Sequence, residues 1–360
     1  MRQKENNAVS DSPERSLQQL PHYVLDILGQ PLALRDLLSM GLGSTATTFL
    51  SQGLAGFDRI LITGMGASLY ASYPSYLRLA KAGLPVWFVE TGELLHDVPE
   101  LITGRSLVWV ASQSGESAEV HALLEQLEQC VNPRPTVLGI VNNTDSVLAQ
   151  SADVLIQLHA GEERAVSTRT YVNTLVASAL AVRVALGEPE STDLFTAVGA
   201  VQRYLDDWRA HADAIGDAIS TPDTLVILAR GASRAAAGTG ALIIKEAAKY
   251  PAEALSTSQF RHGPLEMVTE GVTAVLFEGD RPTAPLSQRL ADDIRRYGGR
   301  VVWLGQTVPD PDALPLAACR GVARHVAEIL PLQLLSVVLA ERAGIEPGVF
   351  RHLEKVTRVL

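Results

Sequence analysis

The chain of 360 residues contains two cysteines, Cys130 and Cys319, in unrelated contexts. Two isolated thiols cannot build a disulfide framework, and no Cys, His, Asp or Glu cluster has metal-ligand spacing. Neither a metal nor another cofactor is expected. Neither cysteine lies near the start of the sequence, so no N-terminal cysteine nucleophile is available. Basic residues are outnumbered 30 to 40, and the net charge is −10. A nucleic-acid partner usually needs a basic face, so none is expected. An anionic substrate would likewise have to be held by local donors rather than by the overall field. No GxxxxGK[ST] stretch is present, which excludes a P-loop. The most apolar late stretch, residues 329–340, is short and interrupted by Pro331. It reads as a buried helix, not a membrane span. Met1 to Arg15 lacks the apolar centre of a signal peptide and reads as a frayed tail. The expected location is the cytoplasm.

What is present is an alternation of short apolar runs with helical patterns. A helix is predicted over 25–38, and strands over 58–63, 85–89, 106–111, 136–141 and 154–158. A helix over 69–82 follows the first strand. The scheme then restarts. Thr224 to Ser233 repeats the shape of Ile60 to Ser68, an apolar strand ending in Gly-Ala-Ser that opens a helix. Runs at 272–277 and 299–304 continue the second set. This self-similarity predicts an α/β protein of two tandem lobes, each a parallel sheet flanked by helices in a flavodoxin-like sandwich. The divisions fall at 1–44 for a tail and leading helix, 45–190 for the first lobe and 191–209 for a helical connector. The second lobe takes 210–345 and a C-terminal tail 346–360.

The most informative segment is Ser112-Gln113-Ser114-Gly115-Glu116-Ser117. It lies between the buried strand at 106–111 and an amphipathic pattern beginning at His121. A helix start offers free N–H groups and a positive dipole end. Ser and Gln side chains add neutral donors, and Gly115 allows close backbone approach. The combination suits a small phosphate monoester.

The Gly64-Met-Gly-Ala-Ser68 turn can cap a helix through Ser68 or contact a ligand. It also resembles the start of a dinucleotide fingerprint. The third glycine is missing, although Glu90 does end the following strand. Asn142 to Ser146 is explained by turn chemistry. Ser167 repeats the theme of a hydroxyl at a strand end. A helical pattern over 241–250 ends at Pro251 and sets Glu246 on the face of Leu242 and Ile243. A carboxylate there is either paired with Lys245, Lys249 or a distant Arg, or functional. His262, in a Gly-Pro loop, can titrate near neutrality and is either structural or an acid/base partner.

These segments resemble the sugar isomerase (SIS) domain family, and within it the isomerase half of the glutamine–fructose-6-phosphate aminotransferases. The likeness rests on Gly64–Ser68, Ser112–Ser117, Val166–Thr168, Gly240–Glu246 with Ala252–Ala254, and Arg261–Leu265, in matching order and spacing. The tail 351–359 resembles the family ending. The resemblance implies two SIS lobes and a phosphosugar substrate. It implies that Ser112, Gln113, Ser114 and Ser117 hold the phosphate, and that Ser68 and Ser167 contact the sugar. Glu246 would move a proton between C1 and C2. His262 would help open the ring, lent by the second subunit of a homodimer. Lys355 would reach the open-chain carbonyl from the tail.

Two departures from the family pattern bear on chemistry. The glutaminase half with its N-terminal cysteine is absent from the sequence, so glutamine-dependent amination is not expected. The family Lys three residues before the base is Ile243 here, which desolvates the carboxylate without pairing it. Glu246 should therefore titrate above the ordinary value of about 4.3. The expected function is an aldose–ketose isomerase, or an aminosugar-6-phosphate deaminase/isomerase, acting on a hexose or hexosamine 6-phosphate. A non-catalytic phosphosugar sensor and a nicotinamide-dependent oxidoreductase are the rivals.

Overall fold

A computed structural model describes residues 20–129, 133–220, 222–307 and 309–357. The tail reading of Met1–Arg15, Cys130 and the end of the 351–359 segment lie partly or wholly outside this range.

Two parallel sheets carry the architecture. The first contains β1 (Arg59–Gly64), β2 (Val86–Phe88), β3 (Ser106–Ala111), β4 (Thr136–Val141) and β5 (Val154–Gln157) in the order β2-β1-β3-β4-β5. The second contains β6 (Thr224–Ala229), β7 (Ala252–Ser256), β8 (Val272–Phe277) and β9 (Arg300–Leu304) in the order β7-β6-β8-β9. The α/β expectation of two repeated, helix-flanked parallel sheets is thus met. The helices Asp193–Asp206 and Trp208–Ile219 join the two sheets.

Strand residues alternate between two buried faces, as the two-residue period requires. Ile60, Ile62, Trp109, Leu138 and Ile140 face one large core, which also takes Leu225, Ile227, Val275 and Val302 from the second sheet. Leu61, Val108, Val110 and Val137 face a separate cluster, as do Val226, Leu228, Ala274 and Val301 on the other sheet. The inner helices therefore form one layer shared by both lobes. Central to it, the helix Gly66–Lys81 crosses the helix Arg234–Ala248 in antiparallel fashion. A Cβ on Gly66 would lie 3.3 Å from Leu242, and one on Gly238 would lie 2.8 Å from the Tyr70 ring. At the far end Arg234 donates to the Tyr73 hydroxyl at 2.9 Å.

Several expected boundaries shift. The helix predicted over 25–38 is two helices, His22–Leu28 and Gln30–Met40, broken at Gly29 just before Pro31. The helix after β1 starts at Gly66, not 69, because Gly66 takes a positive φ of 50° and turns straight out of the strand. The helix predicted over 241–250 spans Arg234–Ala248, and β7, not foreseen as a strand, follows it. The apolar stretch at 329–340 falls in the helix Leu330–Arg342. Together with the preceding turns, Ala323–Arg342 is long and apolar enough to cross a membrane, but 83% of its most apolar window is buried inside the protein. Cys319 is buried too, and burial pushes its thiol up to about 11.

Candidate active site

In both sheets the chain reverses direction of progress after its first two strands. In the first sheet this switch lies between β1 and β3. Loops leaving the carboxyl ends of neighbouring strands at such a point diverge and leave a crevice. The two loops here are Gly64–Ser68 and Ser112–Ser117. Gly64 is required by this approach, since a Cβ would stand 2.7 Å from the Ala111 carbonyl oxygen.

A cleft of about 280 Å³ opens at this point. Met65, Gly66 and Ser68 line it from the first loop, Gln113 from the second, and Ser167 and Thr170 from the start of the helix Arg169–Ala185. Leu242 and Glu246 reach it from the last turns of the Arg234 helix, across the antiparallel contact with Gly66. Phe350, Leu353, Lys355 and Thr357 bring the C-terminal tail over it. Ser68, Gln113, Ser167, Glu246 and Lys355 are therefore brought together from five separate chain segments.

Ser112, Ser114 and Ser117 are not among the lining residues. Ser112 Oγ accepts the Gly115 N–H at 3.1 Å, and Ser114 Oγ accepts the Glu116 N–H at 3.2 Å. Their oxygens shape the turn. Gly115 has φ 65°, and a Cβ on it would stand 2.1 Å from Ser146 Oγ. The helix after this loop starts at Ala118, directly after the motif and ahead of His121. Its Ala118 N–H donates to the Thr357 carbonyl oxygen at 3.0 Å, so the tail is tied to the same loop. Asn142 links the neighbouring turns. Its N–H donates to the Gln113 oxygen at 3.0 Å, and its side chain bridges to Ala160 and Gly161.

Burial raises the Glu246 carboxyl above its ordinary value, against the opposing charges of Lys355, Lys249 and Lys245. Ile243 is completely buried. The direction is the one expected when an aliphatic residue replaces a cation one turn away. Lys249 Nζ donates to the Glu246 backbone carbonyl oxygen, and among the described residues no lysine forms an ion pair with the Glu246 carboxylate.

His262 stands apart. It follows the short helix Thr257–Arg261, is exposed, and does not line the cleft of its own chain. Its backbone N–H donates to the Gln259 oxygen at 3.0 Å. Glu90 is committed elsewhere as well. It caps the helix Thr91–His96 by accepting the Gly92 N–H at 3.0 Å.

Glu163 was missed by sequence reasoning. Lys355 Nζ donates to its Oε2 at 2.9 Å and also to the Ala165 carbonyl oxygen. Burial alone would raise the Glu163 carboxyl. Lys355 and hydrogen bonds from Thr170 and Thr168 overcome this and hold it below the usual range. The only signal was its place in a charged loop, where Glu162, Glu163 and Arg164 look alike. Asp26 of the leading helix braces the same loop, accepting the Arg164 N–H at 3.1 Å and pairing with Arg169.

The sequence matches the SIS domain family over residues 53–183 and 218–311. The chain belongs to that family. Glutamine–fructose-6-phosphate aminotransferase of Pyrococcus horikoshii is 30% identical over 354 residues, covering 94% of this chain and 58% of that protein. The SIS chain thus spans little more than half the length of this relative. Among solved structures, tagatose-6-phosphate ketose/aldose isomerase of Escherichia coli is similar, with TM-score 0.79 and 22% identity over 95% of this chain and all (100%) of that one. Glucosamine-6-phosphate deaminase of Thermotoga maritima is similar with TM-score 0.77 and 20% identity over 94% of this chain and 100% of that one. Both share the SIS fold described above.

Proposed function

We propose that this SIS protein interconverts an aldose and a ketose 6-phosphate, or deaminates and isomerises a hexosamine 6-phosphate, by moving a proton between C1 and C2. The reading is carried by one observation. A desolvated carboxylate, Glu246, shares a cleft at a strand switch point with Ser68, Gln113, Ser167 and a lysine. The names of the family relatives support the phosphosugar class.

In this scheme the amides and hydroxyls of Ser112–Ser117 hold the phosphate, and that remote binding energy orients the sugar. Ser68 and Ser167 contact its hydroxyls. Glu246 takes the proton from the carbon beside the carbonyl, the carbonyl oxygen gains a proton from solvent, and an enediol results. Glu246 then returns its proton to the former carbonyl carbon, while the neighbouring hydroxyl gives its proton to solvent and becomes the new carbonyl. With an amino group in place of that hydroxyl the same transfer yields an imine, which water hydrolyses with release of ammonia. Lys355 offsets negative charge as it develops on the oxygen. His262 assists ring opening from a second copy of the chain. Residues fitted to such acid/base work favour catalysis over a sensor role.

Thermal-shift measurements with hexose and hexosamine 6-phosphates identify the ligand. Solvent deuterium entering C1 or C2 of that ligand, followed by NMR, tests the chemistry. Binding without exchange would favour a sensor, and an unmoved melting temperature with every sugar phosphate would remove the phosphosugar reading.

A further inference from the structure

Glu163 borders the cleft, yet its side chain has 0% exposure. A buried carboxylate is costly unless charge and hydrogen bonds compensate it. Here both oxygens are fully engaged. Oε1 accepts the Thr168 and Thr170 N–H groups at 2.8 and 3.1 Å, and the Thr168 hydroxyl at 3.2 Å. Oε2 accepts the Thr170 hydroxyl at 2.7 Å and the Lys355 ammonium at 2.9 Å. One carboxylate thus fastens the turn carrying Ser167 to a tail residue 192 positions later. An ion pair serving stability alone has no need to place its cation on the wall of the cleft. Lys355 stands there 27% exposed and close enough to act on Glu246.

Resting on the function proposed above, we infer that Glu163 is a positioning residue. Its carboxylate holds the Lys355 ammonium on the cleft wall shared with Glu246 and pins the C-terminal tail across the substrate space. Glu163 itself meets no reacting atom.

The amide variant separates its two tasks. In E163Q the side-chain oxygen still accepts the Thr168 and Thr170 amides, whereas the NH2 group repels the lysine. Trypsin cleaves after Lys355 only when that side chain leaves Glu163. E163Q should therefore release the segment beyond Lys355 at least about tenfold faster than the parent, as mass spectrometry reads it, because local opening sets the rate. Equal release rates would overturn the latch. General loosening is excluded by following cleavage after Lys249 in the same digest, which should not accelerate. If E163Q unfolds, the pair is tested by K355M and the double variant in urea. The double variant should be no less stable than E163Q alone, and additive losses would overturn the pairing.

With the sugar phosphate that exchanges, E163Q should lower kcat about tenfold to a hundredfold and leave KM within about threefold. K355M should match it, and the double variant should fall no further. A loss confined to KM, or losses that multiply, would overturn positioning. A parent protein that exchanges no sugar proton refutes the isomerase reading, while the trypsin result still decides the latch.

Discussion

Glu246 works under opposed demands. Burial that strengthens it as a base also makes its ionised form costly in the folded protein. Glu246→Gln should reduce C1/C2 exchange at least about a hundredfold, the usual share of a general base, with sugar-phosphate affinity nearly unchanged. Exchange at the parental rate would remove Glu246 from the chemistry. The sign of the stability effect follows from linkage. A carboxyl whose folded pKa is raised binds its proton more tightly when folded, so its contribution favours folding at low pH. That contribution is lost as pH rises through the unfolded and then the folded pKa. Glu246→Gln should therefore melt higher than the parent at neutral pH, and the gap should close below the ordinary glutamate range. Burial outweighs the opposing charges of Lys355, Lys249 and Lys245, so the acidic limb of the pH–rate profile should sit above that ordinary range. Glu246 was legible in the sequence because a carboxylate on an apolar helical face is anomalous. Glu163 was not, because its burial and its partner depend on a tail almost two hundred residues away.

At the scale of elements, the site depends on two backbone devices. The loop after β3 needs Gly115 in a left-handed conformation packed against the cap of the helix Val147–Ser151. Gly115→Ala should cost about 1–3 kcal/mol from overpacking alone, visible as a lower urea midpoint, and should weaken sugar-phosphate binding as well. An unchanged midpoint would show that the loop tolerates a side chain. The antiparallel crossing of the Gly66 and Arg234 helices is the other device. It sets the start of one helix against the end of the other, and so carries Leu242 and Glu246 to the loops of the first sheet. The opposite end of the crossing holds Tyr70, Tyr73, Tyr76, Phe88 and Arg234, and no carboxylate lines it. Of the two ends of the crossing, only the one at Gly66 thus carries a carboxylate among the described residues. The strand-ending Gly-Ala-Ser repeat predicted the lobes. Nothing in the repeat itself says that they meet head to tail.

For the whole molecule, the shared inner core has a direct consequence. The two sheets bury their facing sides in one continuous cluster. The chain should unfold in a single calorimetric transition, and two resolved transitions, one per sheet, would contradict the shared core. His262 points to a second consequence. It is exposed and outside the cleft of its own chain, so the proposed ring-opening role requires a second copy. Glu246→Gln and His262→Ala should each be inactive alone. Refolded together, they should recover about a quarter of parental activity, because half of the random twofold dimers carry one intact site of two. No recovery in a mixture shown to exchange subunits would exclude the shared site.

The sequence by itself determined the α/β layering, the duplication, the Ser- and Gly-rich loop after β3 and the anomalous glutamate. Each of these is written in local periodicity or in residue types that few other local structures tolerate. Tertiary structure alone decided that Ser112 and Ser114 shape the loop while Gln113 lines the cleft, that Glu163 grips Lys355, and that His262 is left outside. Those outcomes depend on which distant segments meet, and contact between segments far apart in the chain leaves no periodic trace in either one.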